Sequence, residues 1–266
     1  TTIAAIINAV MILVLAAGAK YKFLFHIRKN FSFEKKFLKL FFIKCFPIVC
    51  NEVFLGIANM IINITFGRQD ESFIAAVAVF RTIEGLLIAF FMGFTSAASV
   101  LVGKCVGAGE IKLAYNRAIR LVYLCSGFIL IVGSIIFAFH PLILHAMRLE
   151  GEAYRIGVVL LGSFMLIAVV RMGNWIHNDT FRAAGDAVFG TVLEIIFMYV
   201  MVIPLVLLTG FVWNSPYWVV FLCAFSDEPI RYIIIQKHLY SGKWIKPVTE
   251  EGRNALTVFR KEMMPK

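Results

Sequence analysis

Long apolar runs alternate with short polar segments over the whole chain. The runs cover residues 1–19, 38–66, 73–102, 118–144, 156–181, 188–213 and 217–236. Each is about the ~20 residues that a helix needs to cross a bilayer. They are too long, and alternate too little, for the strands of an outer-membrane barrel. The pattern predicts an all-α polytopic membrane protein of about seven transmembrane helices. Thr1–Ala19 carries no charge and its basic residues follow it, so it does not read as a signal peptide. The chain reads as a fragment that begins inside, or just before, a membrane helix.

Composition supports the same class. Of 266 residues 61% are hydrophobic and only 16% charged, and the mean hydropathy is +0.85. A typical soluble domain is about 25% charged. Net charge is +10, which raises the question of nucleic acid, but its distribution gives another reason. The connections at residues 20–36, 103–120, 182–190 and 236–266 hold 18 Lys and Arg, and the alternate connections hold 3. The positive-inside rule places the first set, with the C-terminus, in the cytoplasm. The cationic excess then faces lipid headgroups, and no nucleic-acid partner is expected. Cys45, Cys50, Cys105, Cys125 and Cys223 lie in or beside apolar stretches without metal-ligand spacing and read as small apolar fillers.

Charges inside the runs are the exceptions that call for function or pairing, because a mid-bilayer charge costs ~2.5–3.5 kcal/mol on insertion scales. Glu52 lies near the centre of the second run, five residues after Pro47, with no cation three or four residues away. Burial is expected for it, and a kink at Pro47 would place a backbone break one turn from the carboxylate. Arg81 and Glu84 are spaced i,i+3 and Asp227 and Arg231 i,i+4, so each pair can meet on one helix face. Arg171 has no nearby anion in sequence, and either Glu52 or Asp227 could neutralise it. Asn174, His177, Asn178 and Asp179 share its run, Glu194 lies in the next, and Glu228 is beside Asp227. Asn51, Asn59 and Asn63 form a polar stripe with Glu52's helix. GKCVGAGE (Gly103–Glu110) follows a membrane helix and lacks the GxxxxGK[ST] order, so it reads as a tight turn and not a phosphate loop. RAAGD (Arg182–Asp186) reads as a charged hairpin tip. The five His form no metal motif, no catalytic triad converges on one membrane face, and no enzyme activity is expected.

Four stretches together resemble the multidrug and toxic compound extrusion (MATE) family. They are PIVCNEVFLGIANMIINITFGR (Pro47–Arg68), AAVAVFRTIEGLLIAFFMGFTSAASVLVGKCVGAGEIKLA (Ala75–Ala114), FRAAGDAVFG (Phe181–Gly190) and SDEPIRYIIIQKHLYSGKWIKPVT (Ser226–Thr249). Their order and spacing agree with the family from end to end. Ala184-Gly185-Asp186 stands where GGD is common, and Gln69-Asp70 follow the FGR-like turn. The resemblance implies twelve helices in two six-helix lobes. On it, residues 1–19 are the last helix of a truncated N-terminal lobe, 20–37 a basic cytoplasmic inter-lobe loop, 38–240 the six-helix C-terminal lobe, and 241–266 a cytoplasmic tail. It implies efflux of organic cations and drugs across the cell membrane in exchange for Na⁺ or H⁺, with no other cofactor. The partners it implies are lipid, an organic-cation substrate and the missing N-terminal lobe. The family's helix-seven carboxylate matches Glu52, with Na⁺ there the one metal expected. Asn51 stands beside it, and the tenth helix supplies Asn174, Asn178 and Asp179. Arg81, Glu84, Arg171, Asp227, Glu228 and Arg231 form an expected intramembrane charge network. The alternatives are a flippase of lipid-linked sugars from the same superfamily and a membrane enzyme or assembly subunit.

Overall fold

The computed structural model describes the backbone of residues 2–18 and 35–263. The expected inter-lobe loop at 20–37 therefore lies almost wholly outside the described residues. The chain divides into two units, Thr1–Pro47 and Ile48–Lys266. The first holds α1 (Thr2–Gly18) and the beginning of α2 (Lys35–Phe66). The boundary falls at Pro47, where the kink was expected, inside the helix Lys35–Phe66.

The second unit continues α2 and adds α3 (Glu71–Gly107), α4 (Ile111–Ala138), the short α5 (His140–Ala146), α6 (Gly151–Ala183), α7 (Ala187–Val212), α8 (Tyr217–Cys223), α9 (Asp227–Ser241) and α10 (Glu250–Met263). No strand occurs among the described residues. Five helices are long and apolar enough to span a membrane: α2 from Val49, α3, α4, α6 and α7. At 17 residues, α1 is shorter than these five, with its apolar stretch at Ile6–Leu15. The expected run 217–236 is not one helix but α8 and α9, separated at Ala224–Ser226. That break puts Asp227 and Glu228 in the first turn of α9, where the positive helix end favours carboxylates.

Side-chain chemistry explains several boundaries. Asp70 starts α3 by accepting a hydrogen bond from the Ser72 N–H at 3.0 Å. Pro141 stands in the first turn of α5, where its missing N–H leaves no hydrogen bond unmade. Within α7, Met198–Val202 and Leu208–Val212 are π-helical turns on either side of a stretch that contains Pro204. Proline cannot donate to the preceding turn, and wider turns relieve its clash.

The Gly103–Arg120 connection is much shorter than expected. Helix α3 runs to Gly107, α4 starts at Ile111, and Gly109 turns between them at φ +78°. The apolar core packs around α6, the most buried of the spans. Phe80 meets Phe164 at 4.9 Å and Phe221 at 5.1 Å, edge to face. Large apolar side chains such as Leu166, Val200 and Phe90 point outward at 81%, 73% and 72% exposure. A water-soluble surface does not carry such side chains in number.

The segment after α9 is folded onto the helices and is not a free tail. Trp244 and Ile245 are fully buried, and Trp244 Nε1 donates to Leu239 O at 2.9 Å. Thr249 Oγ1 donates to Gly107 O at 2.9 Å, and Phe259 packs on Tyr115 with rings 5.6 Å apart. A Cβ on Gly252 would lie 2.7 Å from Val106 O, so this approach needs glycine. The glycine-rich stretch thus seats α10.

Candidate functional site

Two polar clusters lie within the second unit. The first is an open cleft of about 230 Å³ lined by Asn51, Glu52 and Leu55 of α2, Met92 of α3, Trp175, Asn178, Asp179 and Arg182 of α6, and Glu194 of α7. Three carboxylates face one guanidinium. Arg182 Nη1 lies 3.7 Å from Asp179 Oδ1, and Glu52 lines the same cleft. Asn51 is fully buried with its amide in hydrogen-bond reach of the Glu194 carboxylate; its Oδ1, like Asn178 Oδ1, has no hydrogen-bond donor among the described residues. Buried oxygens without a donor carry a desolvation cost that nothing in the described residues offsets. Gly190 makes the arrangement sterically possible, since a Cβ there would lie 2.1 Å from Asn178 Oδ1.

Glu52 departs from its expected environment. It is exposed at the rim of the cleft and not buried in a helix core. It also does not neutralise Arg171. The structure therefore brings together Glu52, Asn51, Asn178 and Asp179 from the expected coupling set, and separates Asn174 from it. Asn174 Nδ2 donates to Glu228 Oε2 at 2.7 Å and to Glu228 O at 3.0 Å. Residues 174 and 178 share a face of α6 but lie one turn apart, at the level of different neighbours.

The second cluster is a connected chain of ion pairs across α3, α6, α7 and α9. Arg81 Nη1 meets Glu84 Oε2 at 2.8 Å, as the i,i+3 spacing requires. Glu84 Oε1 is 2.8 Å from Arg171 Nη1, and Arg171 Nε is 3.7 Å from Glu228 Oε1. Arg231 then meets Glu228 at 2.7 Å, Asp227 at 3.2 Å and Glu194 at 3.5 Å. Arg171, for which Glu52 and Asp227 were the expected partners, instead pairs with Glu84 and Glu228, and its guanidinium lies over the rings of Phe225 and Trp175. His177, fully buried, is held by Gly173 O at 2.5 Å and Gln236 Oε1 at 2.8 Å.

Glu194 belongs to both clusters, which its sequence position did not reveal: a carboxylate in an apolar run states a cost, not a partner. Asp186 was also missed. It is 2% exposed, accepts from His238 Nε2 at 3.0 Å and from Lys246 Nζ at 2.8 Å, and so ties the α6–α7 turn to α9 and the segment after it. Burial alone would push this carboxyl up, but the hydrogen bonds and charges of His238 and Lys246 outweigh it and hold the group below its ordinary value. Gly185 allows the contact at φ +95°, with Lys246 O only 2.2 Å from where a Cβ would be. The signal available in sequence was glycine before an acid at a helix start. Its partners, His238 and Lys246, lie more than fifty residues downstream.

Comparison with known proteins gives three findings. The profile of the family described as MatE matches residues 47–208. A curated relative, "Uncharacterized transporter YisQ" of Bacillus subtilis (strain 168), is 19% identical over 92% of this chain and 54% of its own length. A solved structure described as the outward-facing conformation of a multidrug resistance MATE family transporter of the MOP superfamily superposes with a TM-score of 0.65 at 17% identity. It covers 83% of this chain and 50% of that one. The chain thus spans about half the length of the proteins it matches.

Proposed function

The chain belongs to the MatE family, and on that premise we propose that it forms one lobe of a secondary active transporter exporting organic cations or drugs in exchange for Na⁺ or H⁺. The observation that carries this reading is the cleft, where Glu52, Asp179 and Glu194 outnumber Arg182 and two amide oxygens wait unpartnered. A cation bound there would replace water with oxygen ligands, and Glu52 at the rim would meet it first. A second, N-terminal lobe facing the cleft would close the substrate path, which alternating access opens to each side in turn. The charge asymmetry supports a cytoplasmic C-terminus in the cell membrane. A lipid-linked sugar flippase is less well supported, because pyrophosphate needs a cationic cavity and this one is acidic.

The test is ethidium efflux by the full-length protein in cells, with Na⁺ and pH varied separately. Glu52→Gln is expected to leave the protein folded and inserted while abolishing the response to whichever gradient drives the wild type. Undiminished gradient-dependent efflux by Glu52→Gln would remove it from the mechanism.

A further inference from the structure

Glu194 joins the open cleft to the ion-pair network. It lines the cleft with Asn51, Glu52 and Asp179. Its Oε1 also lies 3.5 Å from Nη1 of Arg231, a residue only 2% exposed and outside the cleft lining. Arg231 serves three carboxylates, and this contact is the longest. The two closer ones, Glu228 and Asp227, stand one turn earlier on Arg231's own helix, so their hold does not depend on α7. A guanidinium with five N–H donors can satisfy two carboxylates and spare a third. Removing the Glu194 contact would leave Arg231 compensated, whereas removing Arg231 would leave the buried Glu194 without a counter-charge.

We propose that Glu194 is a third carboxylate ligand of the coupling cation and that Arg231 is the built-in competitor for it. Arg231 neutralises Glu194 while the cleft is empty and yields it when a cation enters. The proposal rests on the reading of the cleft as a cation site and adds how its affinity is set. The competitor makes binding weaker than the ligands alone would give, and an exchanger that must release its cation every cycle needs that weakening. Arg231 is then a positioning residue, acting on the cation through Glu194.

The test is cation binding to the full-length purified protein, read from the fluorescence of Trp175 in the cleft wall, with Trp175→Phe as the blank. Na⁺ is titrated at fixed pH, and protons are titrated in Na⁺-free buffer. The double variant Arg231→Gln/Asp227→Asn removes one charge of each sign and leaves Glu228 its contacts with Arg171 and Asn174. It is expected to bind the responding cation about tenfold more tightly than wild type, and Glu194→Gln about tenfold more weakly. Adding Glu194→Gln to the double variant should erase the gain. Unchanged or weaker binding by the double variant, or a gain that survives Glu194→Gln, overturns the proposal. Should the double variant not fold, Arg231→Lys takes its place. Its amine, without the guanidinium fork, keeps Asp227 and Glu228 within reach and gives up Glu194, so tighter binding is again expected and its absence again overturns the proposal. A wild type that responds to neither cation defeats the cleft reading itself, and this proposal with it.

Discussion

The cleft and the ion-pair network use the same kinds of residue to opposite ends. In the network, Arg81, Glu84, Arg171, Glu228, Arg231 and Asp227 form one connected chain, each cation placed against an anion at 2.7–3.7 Å. In the cleft, Asp179 pairs with Arg182 and Glu194 reaches Arg231 only at 3.5 Å, Glu52 has no ion pair among the described residues, and the buried Asn51 and Asn178 keep oxygens without a donor. Pairing makes buried charge tolerable, while an unpaired group costs stability unless something else binds it. The contrast teaches that intramembrane charge alone does not mark a ligand site. What marks it is charge left over after the local partners are counted.

The comparison breaks most visibly at Arg231. Arg231→Met should destabilise the protein by ~3–5 kcal/mol, because it strands buried carboxylates on two helices. Thermal melting of the purified full-length protein would show this, and a melt unchanged from wild type would mean that the network is not structural. Gly185→Ala comes next. It forces a Cβ into Lys246 O at a positive φ, with strain of ~1–3 kcal/mol before the clash is added. The melting temperature should fall without any change in cleft charge.

Asp186→Asn sharpens the comparison through pH. The Asp186 carboxyl sits below its ordinary value. Its stabilising effect is therefore fully present above the unfolded carboxylate value of ~3.9 and is lost as pH falls through the lower folded value. The variant should melt below wild type at pH 7 by ~1–3 kcal/mol of stability, and the two curves should converge only below about pH 3.9. A gap that persists in stronger acid would assign the effect to packing and not to charge. The smallest stability change is expected at the cleft rim: Glu52→Gln, at an exposed position, should stay within ~0.5 kcal/mol of wild type while transport responds strongly. A loss as large as that of Arg231→Met would erase the distinction between the two clusters.

Much of this was legible in the sequence, and the limits were physical. The runs of apolar residues located the helices because length and hydropathy are local properties. The Arg81–Glu84 and Asp227–Arg231 pairs followed from helical spacing for the same reason. Arg171's partners did not, since they depend on how α6 is rotated against α3 and α9, which no spacing within α6 encodes. Glu52 looked buried because its helix is apolar around it, yet apolar neighbours include exposed ones such as Val53 and Ile57. The break at Ala224–Ser226 was hidden inside an apolar run, and the role of Asp186 depended on residues far along the chain.

The docked C-terminal segment sets an order of events. Thr249 reaches back to Gly107 across 142 positions, and Lys246 to Asp186 across 60. During synthesis the α3–α4 and α6–α7 turns leave the ribosome long before the residues that lock them. Until then that end of α3 to α7 is unfastened, and the segment after α9 fastens both turns once it has been translated. A ribosome that stops near Ser241 releases a chain in which α3 to α7 are made and the contacts of Lys246 and Thr249 never form.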